Sequence, residues 1–372
     1  MKVGVVVPYS WSFWGGVVDH AEQQVLALRR LGVDAWLVIG NDPPGSFTHV
    51  LHPGLGRHGT PPEYVLPVGR SVIAPANGSL PNIVLTPTTP LRIKRIFERE
   101  RFDLIHVHEP MTPAIGVAAL ALWRGTTVAT FHASGDLRWM QMGRYTWGFL
   151  AERIDRRIAV SEEARTSVQR WLPGEYDVVP NGVIVPHEAD PAKREDNVVF
   201  IGRHEPRKGM HILLRAWPEI HRRTGARLRL VGADPLAVRL VLTRERVPDD
   251  GVDVLGALSN EDLTDELLRA KVQVASSLGG ESFGMVLTRG LACAVPVVAS
   301  DIPGYRAVLE GEAGVLVPPG DAKALAAAVV DVLGDEETRQ RRGAAARALV
   351  SERYAWDGIA RRLLAIYAEE AA

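Results

Sequence analysis

The 372-residue sequence predicts an α/β protein built from two Rossmann-like, doubly wound domains that face each other across a cleft. Three observations lead there. Short β-rich apolar runs alternate with helical patterns, as parallel sheets with crossover helices require. The alternation starts afresh near residue 197, after a stretch rich in Pro and charge. The chain is also too long for one ordinary core.

In the first half the predicted strands are "VGVVVP" (3 to 8), "DAWLVIG" (34 to 40), "LIHVH" (104 to 108), "TVATFH" (127 to 132) and "RRIAVS" (156 to 161). Between the first two, "VVDHAEQQVLALRRLG" has helical periodicity and stops at Gly32. Residues 41 to 90 are rich in Pro and Gly and read as loops and short strands. The second half gives "NVVFIG" (197 to 202), a helix at "MHILLRAWPEIHRR", "LRLVG" (228 to 232), "VDVLG" (252 to 256), "VQVAS" (272 to 276) and "PVVAS" (296 to 300). The expected division is therefore a first domain at 1–180, a linker at 181–196, a second domain at 197–354, and a C-terminal helix at 355–372 that packs back on the first domain.

A net charge of −1 provides no whole-molecule field for nucleic acid, which is not an expected partner. The lone cysteine, Cys293, lies in an apolar run and reads as a small buried hydrophobe; disulfides within the chain and Cys-based zinc sites are excluded. The N-terminal apolar run is broken by Pro8, and no segment approaches the ~20 apolar residues of a membrane span. The expected location is the cytoplasm, with at most peripheral contact at the inner membrane face.

Ligands of doubly wound sheets bind beyond the carboxyl ends of the strands, so the loops there carry the candidates. Gly15 and Gly16 lie between the first strand and the first helix, where bare backbone N–H groups approach a diphosphate closely. Arg203 and Lys208, in "IGRHEPRKGM", follow the first strand of the second half and suit a leaving group that departs with negative charge. Glu281 lies inside "GGESFG", among glycines that open a helix. His132 ends a strand, where its ring meets a substrate hydroxyl or packs structurally. His106 and His108 share one strand face, but no third ligand at telling spacing accompanies them, and Asp-x-Asp is absent; no metal is expected.

These motifs together resemble the retaining, nucleotide-sugar-dependent glycosyltransferases of family 4, which have the GT-B fold. The likeness rests on Gly15-Gly16, "TFHAS", "AVSEEA", "PNGV", "GRHEPRKG" and "GGESFG", in that order, and runs over nearly the whole chain. Among the members it is most similar to the actinobacterial phosphatidylinositol mannosyltransferases, which share "PYS", "HEP", "NGS" and "LGGESFG". The resemblance implies acceptor binding by the first domain and donor binding by the second. It further implies that Arg203 and Lys208 hold the donor diphosphate, Glu281 lies near donor sugar and phosphate, and His132 touches the transferred sugar. Gly15, Gly16, Gly256, Leu258, Gly280, Ser282, Phe283, Gly284 and Arg289 then belong to the donor site. Tyr9, Trp11, Trp14 and Asn77 belong to the acceptor site. No cofactor or metal is implied, because fixed cations replace it.

Two departures qualify the likeness. Eight residues beyond Glu281 the family carries a second Glu that binds ribose; this chain has Arg289, which accepts no hydrogen bond. The ribose is then held differently, or Arg289 reads an additional phosphate, or donor binding is weakened. On the acceptor side no arginine follows "NGS" closely, and Glu98 and Glu100 dilute Arg92, Lys94, Arg95, Arg99 and Arg101. Aromatic residues crowd the first glycine loop and the run "LRWMQMGRYTW" after His132. The acceptor expected from these departures is a lipid or secondary metabolite less anionic than phosphatidylinositol. The alternatives are a phosphatidylinositol α-mannosyltransferase using GDP-mannose, a catalytically weak sugar-nucleotide binding protein and, more remotely, an epimerase of GT-B shape.

Overall fold

The computed structural model describes residues 1–51, 56–57, 59–73, 82–132 and 144–371, and these form two compact units. The first comprises Met1–Gly182 with Trp356–Ala372, the second Val183–Ala355. The chain thus passes between units at residues 182–183 and again at 355–356. Of residues 181–196, expected as a linker, 183–196 are tied into the second unit: Val183 N–H donates to Tyr354 O at 2.8 Å and Glu195 N–H to Arg269 O at 2.8 Å. No helix among the described residues is long and apolar enough to cross a membrane.

The first unit holds β1 (Lys2–Ser10), β2 (Asp34–Gly40), β3 (Val65–Pro67), β4 (Ser71–Ile73), β5 (Asn82–Val84), β6 (Leu104–His108), β7 (Thr126–Phe131), β8 (Arg156–Ala159) and β9 (Asp177–Val178). The main path runs β3-β2-β1-β6-β7-β8-β9 in parallel, and the short β5 meets β1 antiparallel at Tyr9 and Ile83. β1 is apolar along almost its whole length because both of its faces are covered. Val3, Val5 and Val7 pack with Val18, Ala21, Val25 and Leu28 of the helix Gly16–Arg30 and with Ile359, Leu363 and Tyr367 of the C-terminal helix Trp356–Ala371.

The second unit carries β10 (Asn197–Ile201), β11 (Arg227–Val231), β12 (Val252–Gly256), β13 (Val272–Ala275), β14 (Val297–Ser300) and β15 (Gly314–Val317), in the order β12-β11-β10-β13-β14-β15. Its largest core gathers Phe200, Leu213, Trp217, Leu228, Leu230 and Val329. In both sheets the order reverses beside the first strand, between β1 and β6 and between β10 and β13. Such switch points open a crevice at the carboxyl ends of the strands, where ligands of this architecture bind.

Candidate active site

In the second unit two loops meet at the switch point because β10 and β13 are direct parallel neighbours. After β10 the chain makes a 3-10 turn, Pro206–Lys208, which Pro206 starts with its φ already set. Gly209 follows with φ +68, and a Cβ there would stand 1.8 Å from Ser276 O. Only glycine allows this approach, and the loops are joined across it: Ser276 Oγ donates to Gly209 O at 2.9 Å, and Leu278 N–H to Arg207 O at 2.7 Å.

That junction assembles a charge network. Glu281 Oε1 accepts from Lys208 Nζ at 2.7 Å, from Arg207 Nη1 at 2.9 Å and from Ser277 Oγ at 3.3 Å. Glu205 pairs with Arg203 Nη2 at 2.7 Å and with Arg207 Nη2 at 2.8 Å. Three cations against two carboxylates leave one positive charge at the strand ends. The side chains of Glu281 and Lys208 are only 10% and 20% exposed, so their pairing is screened less than that of a surface pair. Below them Ser277 Oγ lies 2.8 Å from Tyr305 OH, whose pKa is pushed up by burial and by the Glu281 charge. The arrangement holds cationic heads ready for an anionic group, with the glycines of the second loop in left-handed conformations (φ +71 at Gly280, +77 at Gly284) that keep its backbone bare.

Arg207 and Glu205 went unnamed in the sequence reading, although both stand in "GRHEPRKG". Arg203 pairs with Glu205, while Lys208 and Arg207 reach Glu281. Gly256 ends β12 with φ +69, and Leu258 is half-buried against the small core that contains Val199 and Val231. Phe283, expected at the donor, is turned inward: it is buried, edge-on to Tyr354 at 5.4 Å, so its role in the loop is packing. Ser282 stays half-buried in the same loop. Arg289 lies on the helix Met285–Ala292 and donates to Asn260 Oδ1 at 3.0 Å.

In the first unit Gly15 is the N-cap of the first helix, with Gly16 its first residue. A Cβ on Gly15 would meet nothing closer than Val18 Cγ2 at 3.9 Å, so the space above it is open. Two aromatics of this loop pack on one cation. Arg57 lies 4.4 Å from the Trp14 ring centroid and 5.3 Å from that of Trp11, while binding Asp19 at 2.6 Å and also Glu22. Trp11 Nε1 donates to Glu22 Oε1 at 2.9 Å, and the ring is buried. Trp11 is therefore a packed residue rather than an open wall for an acceptor. Tyr9 is half-buried, its hydroxyl pKa pushed up by burial and by Glu109. Asn77, Trp139, Met140 and Met142 lie outside the described residues.

Four histidines gather at the same strand ends. His106 and His108 alternate onto one face of β6 and stack at 4.7 Å. Gln24 Nε2 donates to Tyr367 OH at 2.9 Å, so that hydroxyl donates to His106 Nδ1, and His106 Nε2–H donates to Thr130 Oγ1 at 2.6 Å. Both nitrogens of His106 are thus satisfied. His108 Nδ1 instead meets His132 Nε2 at 2.8 Å, while the His20 ring packs 5.2 Å from His132 and 4.9 Å from Trp356. Glu109 Oε1 accepts from the His132 backbone N–H at 2.8 Å from a left-handed conformation, φ +48. Burial lowers all four pKa values, to about 3 for His106 and for His132, and the rings are neutral near pH 7. Of the pair His106 and His108, the fold brings His108 together with His132 and with His20, from the first helix.

Two doubly wound units, the second with a cationic, glycine-lined loop pair at its switch point, have the architecture of the GT-B class. Comparison makes the assignment specific. Residues 14–185 match the model of Glycosyltransferase Family 4, and residues 195–335 match that of Glycosyl transferases group 1. The phosphatidyl-myo-inositol mannosyltransferase of Mycobacterium leprae (strain TN) is 34% identical over 381 residues, covering 99% of this chain and 96% of the relative. That of Propionibacterium freudenreichii subsp. shermanii is 31% identical, covering 99% and 94%. This chain belongs to the family 4 glycosyltransferases. Among solved structures, sucrose-phosphate synthase from Thermosynechococcus elongatus aligns with a TM-score of 0.76 at 20% identity over 99% of both chains. Anabaena HepE in complex with UDP-glucose aligns at 0.72 with 18% identity, over 99% of this chain and 100% of that one. At such identities the likeness concerns the fold.

Proposed function

We propose that the chain transfers mannose from GDP-mannose to the inositol headgroup of phosphatidylinositol, with retention of configuration and without a metal. The full-length identity to phosphatidyl-myo-inositol mannosyltransferases carries this reading. It favours the phospholipid over the less anionic acceptor that the aromatic loops suggested. Trp11 packing inward on Arg57 and Glu22 weakens that suggestion further.

In this reading Arg203, Arg207 and Lys208 receive the donor diphosphate and neutralise it as the bond to the sugar breaks. Glu281 pre-aligns Arg207 and Lys208 before the donor arrives and lies near the sugar afterwards. His132 donates or accepts at a sugar hydroxyl. The acceptor hydroxyl attacks from the face that the phosphate leaves, and a leaving phosphate oxygen takes its proton, so no protein nucleophile is needed. On the helix Thr89–Glu100, Glu98 occupies Lys94 and Glu100 occupies Lys2 and Arg99, while Arg92 and Arg95 are exposed beside Leu91. Two such arginines contribute ~1 kcal/mol each toward an anionic membrane surface, in keeping with weak peripheral binding.

The test is a transfer assay with labelled GDP-mannose or UDP-glucose and vesicles containing phosphatidylinositol, competed with neutral lipid and polyphenol acceptors. Mannosyl-phosphatidylinositol as the main product is expected. Faster transfer to a neutral acceptor overturns the acceptor assignment, and tight donor binding with neither transfer nor hydrolysis marks a binding protein.

A further inference from the structure

We propose that His20, His108 and His132 form a three-histidine site for a divalent transition ion of the zinc class. One ring nitrogen from each lies within 4.8 Å of the others, and all three side chains are buried. Two nitrogens of the cluster, His20 Nδ1 and His108 Nε2, are buried with no hydrogen-bond partner. Buried polar atoms left in this state are costly, and a bound ion is one of the few things that satisfies several at once. Imidazole binds metals in its neutral form.

The surroundings suit a ligand set. His106 stacks on His108 but spends both its nitrogens on Tyr367 and Thr130, so it buttresses the ring without competing for an ion. Glu109 fixes the backbone of His132, and Trp356 packs on His20. Three neutral histidines with a water in the fourth position are a zinc arrangement that leaves one coordination place open.

The ion is not a reagent of the transfer proposed above. It occupies His132, and on the reading that His132 contacts the transferred sugar, it inhibits. Binding itself does not depend on that reading.

The experiment uses the tag-free chain. Co2+ is titrated with visible absorption as the readout, and Zn2+ is titrated by calorimetry into the same protein and into H20Q, H108Q and the exposed-site control H187Q. One ion per chain with the intense bands of tetrahedral cobalt is expected, with affinity at least 100-fold weaker in H20Q and H108Q and unchanged in H187Q. The cobalt spectrum of the unmutated chain keeps the test valid if a variant fails to fold. Absence of binding at micromolar metal, octahedral bands only, or affinity unaffected in folded H20Q overturns the site. Zn2+ inhibition of transfer that is reversed by chelator supports both the site and the placing of His132. Tight binding with an unchanged transfer rate supports the site and overturns the contact between His132 and the sugar.

Discussion

The histidine cluster makes the first unit sensitive to acid. In the folded chain His106 and His132 titrate near 3, against an ordinary value of 6.5, because burial disfavours their charged forms. Below pH 6.5 the unfolded chain therefore takes up protons that the folded chain refuses, and stability falls with pH across the window from about 6.5 down to about 3. Between pH 7.5 and pH 5 each of the two costs about 2 kcal/mol, or about 4 together. His20 and His108 shift in the same direction and add to the loss. Such a sum is a large part of the ~5–15 kcal/mol that holds a domain folded. Native-state hydrogen exchange reads it by peptide. Once the intrinsic pH dependence of exchange is removed, protection in β6 and β7 should drop about a thousandfold between pH 7.5 and pH 5, since ~1.4 kcal/mol is a factor of ten. β10 and β13 should hold, because no such cluster occurs in their unit among the described residues. A drop below tenfold in β6 and β7, or an equal drop in both units, refutes the reasoning.

Lys208→Ala removes a cation from the diphosphate site and should lower kcat by roughly 10²–10³-fold, read in the same transfer assay. Arg207→Ala frees Glu281 and uncouples it from Glu205, so kcat should fall at least tenfold with little loss of melting temperature; unchanged turnover would leave Arg207 a surface residue. Gly209→Ala forces a methyl into Ser276 O and a left-handed backbone, which should cost more than about 2 kcal/mol in urea unfolding. Arg289→Glu should tighten GDP-mannose binding in calorimetry if ribose recognition was weakened; loss of binding would mean that Arg289 itself holds the donor.

Most of the sheet scaffold was legible because each buried parallel strand is a run of apolar residues ended by Gly, Pro or a polar cluster. β2, β6 and β12 fall where the sequence placed them, and β1, β7, β8, β10, β11, β13 and β14 within two residues. β15 was missed: Gly314–Val317 is four residues long, follows the exposed stretch Glu310–Glu312, and lies half-buried at the sheet edge, so no long apolar run announces it. β3, β4 and β5 have three residues each, too few for periodicity to show.

The site divides along a similar line. Arg203, Lys208 and Glu281 could be picked out because each lies in a loop that follows a strand, and loop position is a one-dimensional property. Which of three neighbouring cations reaches Glu281 is not: the turn Pro206–Lys208 rotates Arg207 and Lys208 toward it and leaves Arg203 on Glu205. The histidines show where better reasoning was available. His20 and His108 are 88 residues apart, and no ligand spacing connects them. A doubly wound sheet nevertheless places its first strand beside the strand that follows the reversal, here β1 beside β6. Residues in the early turns of the helix after β1 are thereby carried over the end of β6. His20 lies in that helix and His108 ends that strand, so the strand order alone would have brought them together, and the search for a third ligand belonged in the topology rather than in the spacing.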